Sequence, residues 1–216
     1  ILEVRMVPLG QVFEKLARAV RQISREVDKP VNLVVTGAET EIDKLIVEEL
    51  SDPLMHMIRN AIDHGIESRE GRMAVGKPAV GTIALNAFQQ GNQVVIEVED
   101  DGRGIDPKAV REAALRLGFT TAEDASQLGE GEVLAFVFAP GFTTRDEATQ
   151  LSGRGVGLDV VKTNISRLGG VVAVASDLGL GTKMTSTLPI TLAVISVVVS
   201  PIDPFARSQA GSSQTK

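Results

Sequence analysis

A chain of 216 residues with 43% apolar side chains is long enough for one sizeable core, and its formal net charge of −6 disfavours broad contact with nucleic acid or an anionic membrane. The absence of cysteine excludes disulfides and thiolate metal sites, and two histidines are too few for a histidine-rich zinc centre. Trp and Tyr are also missing, which removes the usual stacking platform for single strands.

In chain order, Val12, Phe13, Leu16, Val20 and Ile23 recur at helical spacing and predict a first helix, broken by Asp28, Lys29 and Pro30. VNLVV reads as a strand. A second helical region starts near Ile42. Asp52 is expected to cap a new helix with Pro53 at its first position, running to about Asp63 and stopping before Gly65. Gly76 to Gly81 reads as a loop. Thr82 to Phe88 and Val94 to Glu99 read as two strands joined by a hairpin turn, the second with Val94, Ile96 and Val98 on one side. A helix follows from about Pro107 to Leu117. Thr120 to Gly131 reads as polar loop, and a short helical run leads to Phe138. A long Gly/Ser/Thr-rich loop covers Ala139 to Gly155, and helix resumes from about Val156 to Leu168. Two strands, Val171 to Ser176 and Thr182 to Leu188, flank the turn DLGLG. The order predicts an α+β fold with a mostly antiparallel sheet covered by helices on one face. The apolar run from Ile190 to Pro201 is too short to span a bilayer, and a polar tail follows it.

Four stretches carry possible chemistry. In HMIRNAIDHG, His56 and Asn60 share a helix face and Asp63 lies near it. This is either a solvent-facing stripe or a site, and the Asn60 amide oxygen suits a hard cation such as magnesium. In VEDDGRGIDP, Asp100 stands at a strand end, and Gly102 and Gly104 permit close approach. A calcium loop would need further acidic ligands, and Arg103, Ile105 and Pro107 interrupt the series. In GFTT…LSGRGVGLDVVK, the amides of Gly153, Gly155 and Gly157 at a helix start can bind phosphate, with Thr143, Ser152 and Lys162 nearby in sequence. This run is neither a Walker loop nor a Rossmann fingerprint. In GLGTKMTSTLP, Gly179, Gly181 and Thr182 form a tight turn that, taken alone, is an ordinary hairpin.

Together and in order, these stretches resemble the four boxes of the GHKL ATP-binding fold of histidine kinases, gyrase-type topoisomerases, Hsp90 chaperones and MutL-like proteins. HMIRNAIDHGIE, VEDDGRGID, FAPGFTT and LSGRGVGLDVVK look like the catalytic domain of the CheA chemotaxis histidine kinase family, over about Met6 to Val194.

The resemblance implies a two-layer α/β sandwich with ATP between the helical face and a mobile lid. Asp100 would accept from the adenine amino group, with Gly102, Gly104 and Ile105 close to the base and Asp101 in a variable place. Asn60 would hold magnesium. His56 replaces the glutamate base of strongly hydrolysing relatives and would position or handle protons near the γ-phosphate. His64 would contact phosphate, with Arg59 and Asp63 completing the box. Phe138, Gly141, Phe142 and Thr143 would belong to the lid and its hinge. Ser152, Gly153, Arg154, Gly155, Val156, Gly157 and Leu158 would wrap the phosphates, Lys162 would stand behind them, and Thr182 would lie near the adenine.

The implied activity is transfer of the ATP γ-phosphoryl to a histidine on a separate phosphoacceptor domain. Response regulators and a coupling protein with chemoreceptors would be reached through other domains, in a cytoplasmic setting. The opening RMVP looks like the junction after the family's dimerisation helices, so a monomer is expected. Residues 1–192 would form the catalytic domain, and residues 193–216 the start of a regulatory domain plus the polar tail. Two other readings stand beside this one. A GHKL ATPase of another branch is disfavoured by His56, and a non-enzymatic nucleotide-binding scaffold by the intact Asn60, Asp100 and lid glycines.

Overall fold

The computed structural model describes residues 5–143 and 157–192. Its elements run β1 (Met6–Pro8), α1 (Gly10–Glu26), β2 (Val31–Thr36), β3 (Glu41–Asp43), α2 (Lys44–Asn60), a π turn (Ala61–Gly65), α3 (Arg69–Ala74), β4 (Gly81–Gln90), β5 (Gln93–Asp100), α4 (Pro107–Arg116), α5 (Ala122–Gln127), α6 (Glu130–Leu134), a 3-10 turn (Ala135–Phe138), α7 (Leu158–Arg167), β6 (Val171–Asp177) and β7 (Gly181–Pro189).

The large sheet has the order β2-β4-β5-β7-β6. The pair β2/β4 is parallel and the other pairs are antiparallel, so the sheet is mixed and mostly antiparallel, as expected. Alternation decides which face is covered. Ile83, Leu85 and Ala87 of β4, Ile96 and Val98 of β5, and Met184 and Leu188 of β7 are all buried. They meet Val12, Phe13, Leu16, Val20 and Ile23 of α1, and Val161 and Ile165 of α7, in one core. The other side of β5 and β7 carries Glu97, Glu99 and Lys183, whose ion pairs of 3.0 and 3.9 Å suit a wet face. The result is a two-layer α/β sandwich with helices on one face.

The expected restart at Asp52 is corrected. The helix α2 is continuous through Pro53, and its cap is Asp43, whose carboxylate accepts from the Leu45 amide at 3.0 Å. Proline in a helix interior removes one hydrogen bond. Burial outweighs that loss, because Ile46, Leu50, Pro53, Leu54, Met57 and Ile58 make one continuous buried stripe. Two further differences lie in polar sequence. Arg69–Ala74 forms α3, capped by Ser68, which accepts from Gly71 N. The stretch read as loop between Thr120 and Gly131 contains α5, capped by Thr121, and the start of α6. The small antiparallel pair β1/β3 was also unforeseen.

A second, smaller apolar cluster sits under α4 to α6. Val110, Val133 and Leu134 are buried there against Phe136 and Phe142. Phe119 joins it with ring centroids 6.4 Å from Phe136 and 5.8 Å from Phe142, within the range of favourable aromatic pairs.

Candidate nucleotide site

Helix α2 ends at Asn60. The Asn60 Nδ2 donates to the His56 carbonyl at 2.9 Å, which commits the nitrogen and leaves the amide oxygen as the atom for a ligand. The backbone then widens into the π turn, closed by Ile66 N donating to Ala61 O at 2.7 Å. Such turns recur at functional sites because they redirect a helix over one residue. Arg59 and His64 are exposed, and His56, Asn60 and Asp63 are half-buried. Lys29 reaches in from the α1–β2 junction, and its Nζ donates to Ile62 O at 2.8 Å and Asp63 O at 2.9 Å. It thereby serves carbonyls that the turn leaves without an intrahelical donor. Burial, then the nearby Arg103, lowers the pKa of Lys29, with Asp63 and Glu67 opposing.

The π turn delivers Gly65 against Asp100. A Cβ on Gly65 would stand 2.9 Å from Asp100 Oδ1, so no side chain fits between them. The Gly65 carbonyl accepts from Arg103 N at 2.9 Å. A Cβ on Gly102 would overlap the Gly65 carbonyl, and one on Gly104 would overlap Asp177, where φ is +72°. In this structure the space left by both glycines is filled by the chain itself.

Asp100 is 7% exposed, and its Oδ1 accepts from Gly102 N at 2.9 Å. Burial pushes its pKa up to about 6. The Gly102 amide opposes the rise, Asp101 adds to it, the Thr182 backbone opposes it, and Glu67 adds to it. Among the described residues no cationic side chain is a cause of this shift. Thr182 is also buried, and its hydroxyl lies 2.9 Å from Ser176 Oγ. Ser176 in turn accepts from Ile105 N and donates to Gly181 O, both at 2.8 Å.

The fold therefore gathers Asn60, Asp63, Asp100, Gly102, Gly104, Ile105 and Thr182 around the π turn and the ends of β5 to β7. Gly157 stands at the start of α7, Leu158 packs against the main core, and α7 lies beside α2. Lys162 is exposed and lines a separate open groove with Phe138, Pro140, Asp159 and Arg167. Phe142 belongs to the small cluster, and Thr143 is the last described residue before the gap. Ser152, Gly153, Arg154, Gly155 and Val156 lie outside the described residues. Sequence reasoning missed Gly65 as a contact, Ser176 as a hub and Lys29 as a cap. The first was visible only as a helix stop, and the other two bear no local signal.

Residues 49–192 match the family described as Histidine kinase-, DNA gyrase B-, and HSP90-like ATPase. The chain is 46% identical over 203 residues to the chemotaxis protein CheA of Bacillus subtilis, covering 94% of this chain and 30% of that protein. It is 50% identical over 195 residues to CheA of Treponema pallidum, covering 90% and 24%. The sensor histidine kinase CheAY of Helicobacter pylori is 45% identical over 199 residues, covering 92% and 25%. The chain thus spans less than a third of the length of these relatives.

Among solved structures, the catalytic domain of histidine kinase ThkA superposes with a TM-score of 0.54 at 14% identity, covering 88% of this chain and 97% of that one. The mycobacterial sensor histidine kinase MprB gives 0.53 at 18%, covering 88% and 100%. At such identities these likenesses establish the fold. The family match begins within α2 and runs through β7, the stretch that seats the Asn60 turn on Asp100, and the chain belongs to the histidine kinase-, DNA gyrase B- and HSP90-like ATPase family.

Proposed function

We propose that the chain is the ATP-binding catalytic domain of a CheA-like chemotaxis histidine kinase, acting on a histidine of a separate phosphoacceptor domain. The observation that supports this most is the buried Asp100 carboxylate, held by backbone donors and, among the described residues, by no cation. A buried carboxylate in that state seeks a further donor. The exocyclic amino group of adenine is a neutral one of the right kind, and Thr182 and Ile105 border the same place.

Asn60 fits magnesium in a limited sense. Among the described residues no cluster of three or more acidic or histidine ligands exists, so a dedicated protein cage is absent there. A single amide oxygen suits magnesium whose other ligands are phosphate oxygens and water. When bound, the ion would neutralise charge on the phosphates. The chain's own residues supply orientation: Asn60 from the end of α2, His56 one helical turn before it, and the exposed His64 and Arg59 beside them as hydrogen-bond donors. Phosphoryl transfer depends mainly on such positioning. In the step itself, an acceptor imidazole nitrogen bonds to the γ-phosphorus, the bond to the bridging oxygen breaks, and ADP leaves with that electron pair.

The lid contacts expected of Phe142, Thr143, residues 152–156, Gly157 and Lys162 belong to this proposal too. So do response regulators, a coupling protein and chemoreceptors as partners through other domains, and a cytoplasmic location. Among the described residues no helix is long and apolar enough to cross a membrane. Calorimetric titration with ATP, with and without magnesium, tests the site. Asp100→Asn is expected to lower affinity roughly tenfold or more, the worth of a hydrogen bond to a charged group, with an unchanged far-ultraviolet dichroism spectrum. Asn60→Ala is expected to remove the magnesium dependence. Unchanged affinity in Asp100→Asn overturns the adenine assignment.

A further inference from the structure

The segment from Glu67 to Pro78 enters the site described so far only through the charge of Glu67, yet it holds Arg72, which is 1% exposed. Burying a guanidinium fully needs partners for every face. Arg72 Nε donates to Pro78 O at 2.7 Å, Nη1 to Glu67 Oε2 and Asp101 O at 3.2 Å, and Nη2 to Asp101 Oδ2 at 2.9 Å. Lys77 follows the same route. Its Nζ donates to Glu67 Oε1 and Asp101 O at 2.9 Å, and to Gly102 O at 2.6 Å. Asp101 completes the cluster by accepting from Thr82 N at 2.9 Å. Burial pushes Glu67 up, but the hydrogen bond from Lys77, together with the charges of Lys77 and Arg72, more than reverses this and holds its carboxyl below the usual range.

One atom receives both cations: the carbonyl oxygen of Asp101. The same peptide unit carries the Gly102 N–H, which points the other way and donates to Asp100 Oδ1. A peptide is planar, so fixing its C=O fixes its N–H. Two positive charges on the oxygen also polarise the group and strengthen the opposite donor. We propose that Arg72 and Lys77 are positioning residues for base recognition, acting through the Asp101–Gly102 peptide to aim the Asp100 carboxylate. Asp101 is then the anchor of this device, and the α3 segment sets how sharply the site reads an amino group on a purine. This inference rests on the adenine reading of Asp100.

The alternative is that the cluster merely ties down its own loop. Base selectivity separates the two. The probes are ATP and purine riboside triphosphate, which lacks the 6-amino group, titrated into the full chain. Asp100→Asn serves as the reference and is expected to abolish the preference for ATP. Lys77→Met keeps Arg72 in place and is the variant that should fold. It is expected to weaken ATP binding roughly fivefold, the worth of about one hydrogen bond, while binding of the purine analogue changes little. In the background of Asp100→Asn, Lys77→Met should have no further effect on the preference. Lys77→Arg should restore it in part.

Failure takes distinguishable forms. If Asp100→Asn leaves the preference intact, the adenine reading itself fails. If Asp100→Asn abolishes it but Lys77→Met weakens both nucleotides equally, or neither, the positioning role is overturned and the cluster is only a loop tie.

Discussion

The surroundings of Asp100 work against its ionised form, and that conflict is open to measurement. Its pKa in the fold is raised from 3.8 to about 6, chiefly by burial. The folded state therefore binds this proton more tightly than the unfolded chain does. Linkage then says that the ionised group costs stability above pH 6, on the order of a few kcal/mol, and that relief of this cost begins as pH falls through 6 and is complete only below 3.8. Binding of the base runs the other way, because protonation removes an acceptor. Between pH 7 and pH 5 the ligand-free chain is expected to gain stability to denaturant while its ATP affinity falls. Within that window Glu67, whose pKa is lowered, stays ionised, so its ion pairs with Arg72 and Lys77 are kept. Urea titrations and calorimetry at the two pH values check both signs. Asp100→Asn should flatten the stability trend, and an affinity whose pH dependence is the same in Asp100→Asn as in the parent chain would contradict the assignment.

Among the elements, the π turn does the most to build the site, and Lys29 is its cap. Lys29→Met removes the donor to two carbonyls and is expected to lower stability by about 1–2 kcal/mol in urea, discounted for the partial exposure of the ammonium. A shift below a few tenths of a kcal/mol would show that water replaces it. Such long-range bonds explain what could be read from the chain and what could not. Apolar spacing located α1, and alternation located β4, β5 and the covered face, because periodicity is a local property. The interruption expected at Pro53 failed because a local rule met a continuous buried stripe. Short α3 and α5 had capping residues in view, Ser68 and Thr121, but polar composition hid them. The place of Asp100 at the end of a strand was legible from the turn that follows it. Arg72 and Lys77 were not, since their partners Asp101 and Gly102 lie 24 to 29 residues away and only the folded chain brings them close.

Taken whole, the described residues form two apolar clusters of unequal size. The main one joins the sheet to α1, α2 and α7, and the smaller one sits under α4 to α6. Few buried groups make the smaller cluster the easier one to open. Hydrogen exchange is expected to show α4 to α6 exchanging through local opening, well before the amides of β4, β5 and β7. Equal protection throughout would mean the two clusters unfold as one. On this expectation the region that opens first includes Phe142, while Asp100 and Asn60 belong to the part that opens last.

If the half of the molecule around Asp100 and Asn60 presents ATP for transfer to a histidine, labelled phosphoryl transfer will reveal it. The chain is mixed with magnesium, ATP labelled on its γ-phosphate and a separately made phosphoacceptor domain. The expected result is acid-labile label on the acceptor histidine, dependent on magnesium and lost in Asn60→Ala. Rapid release of labelled phosphate with none on the acceptor would contradict the account.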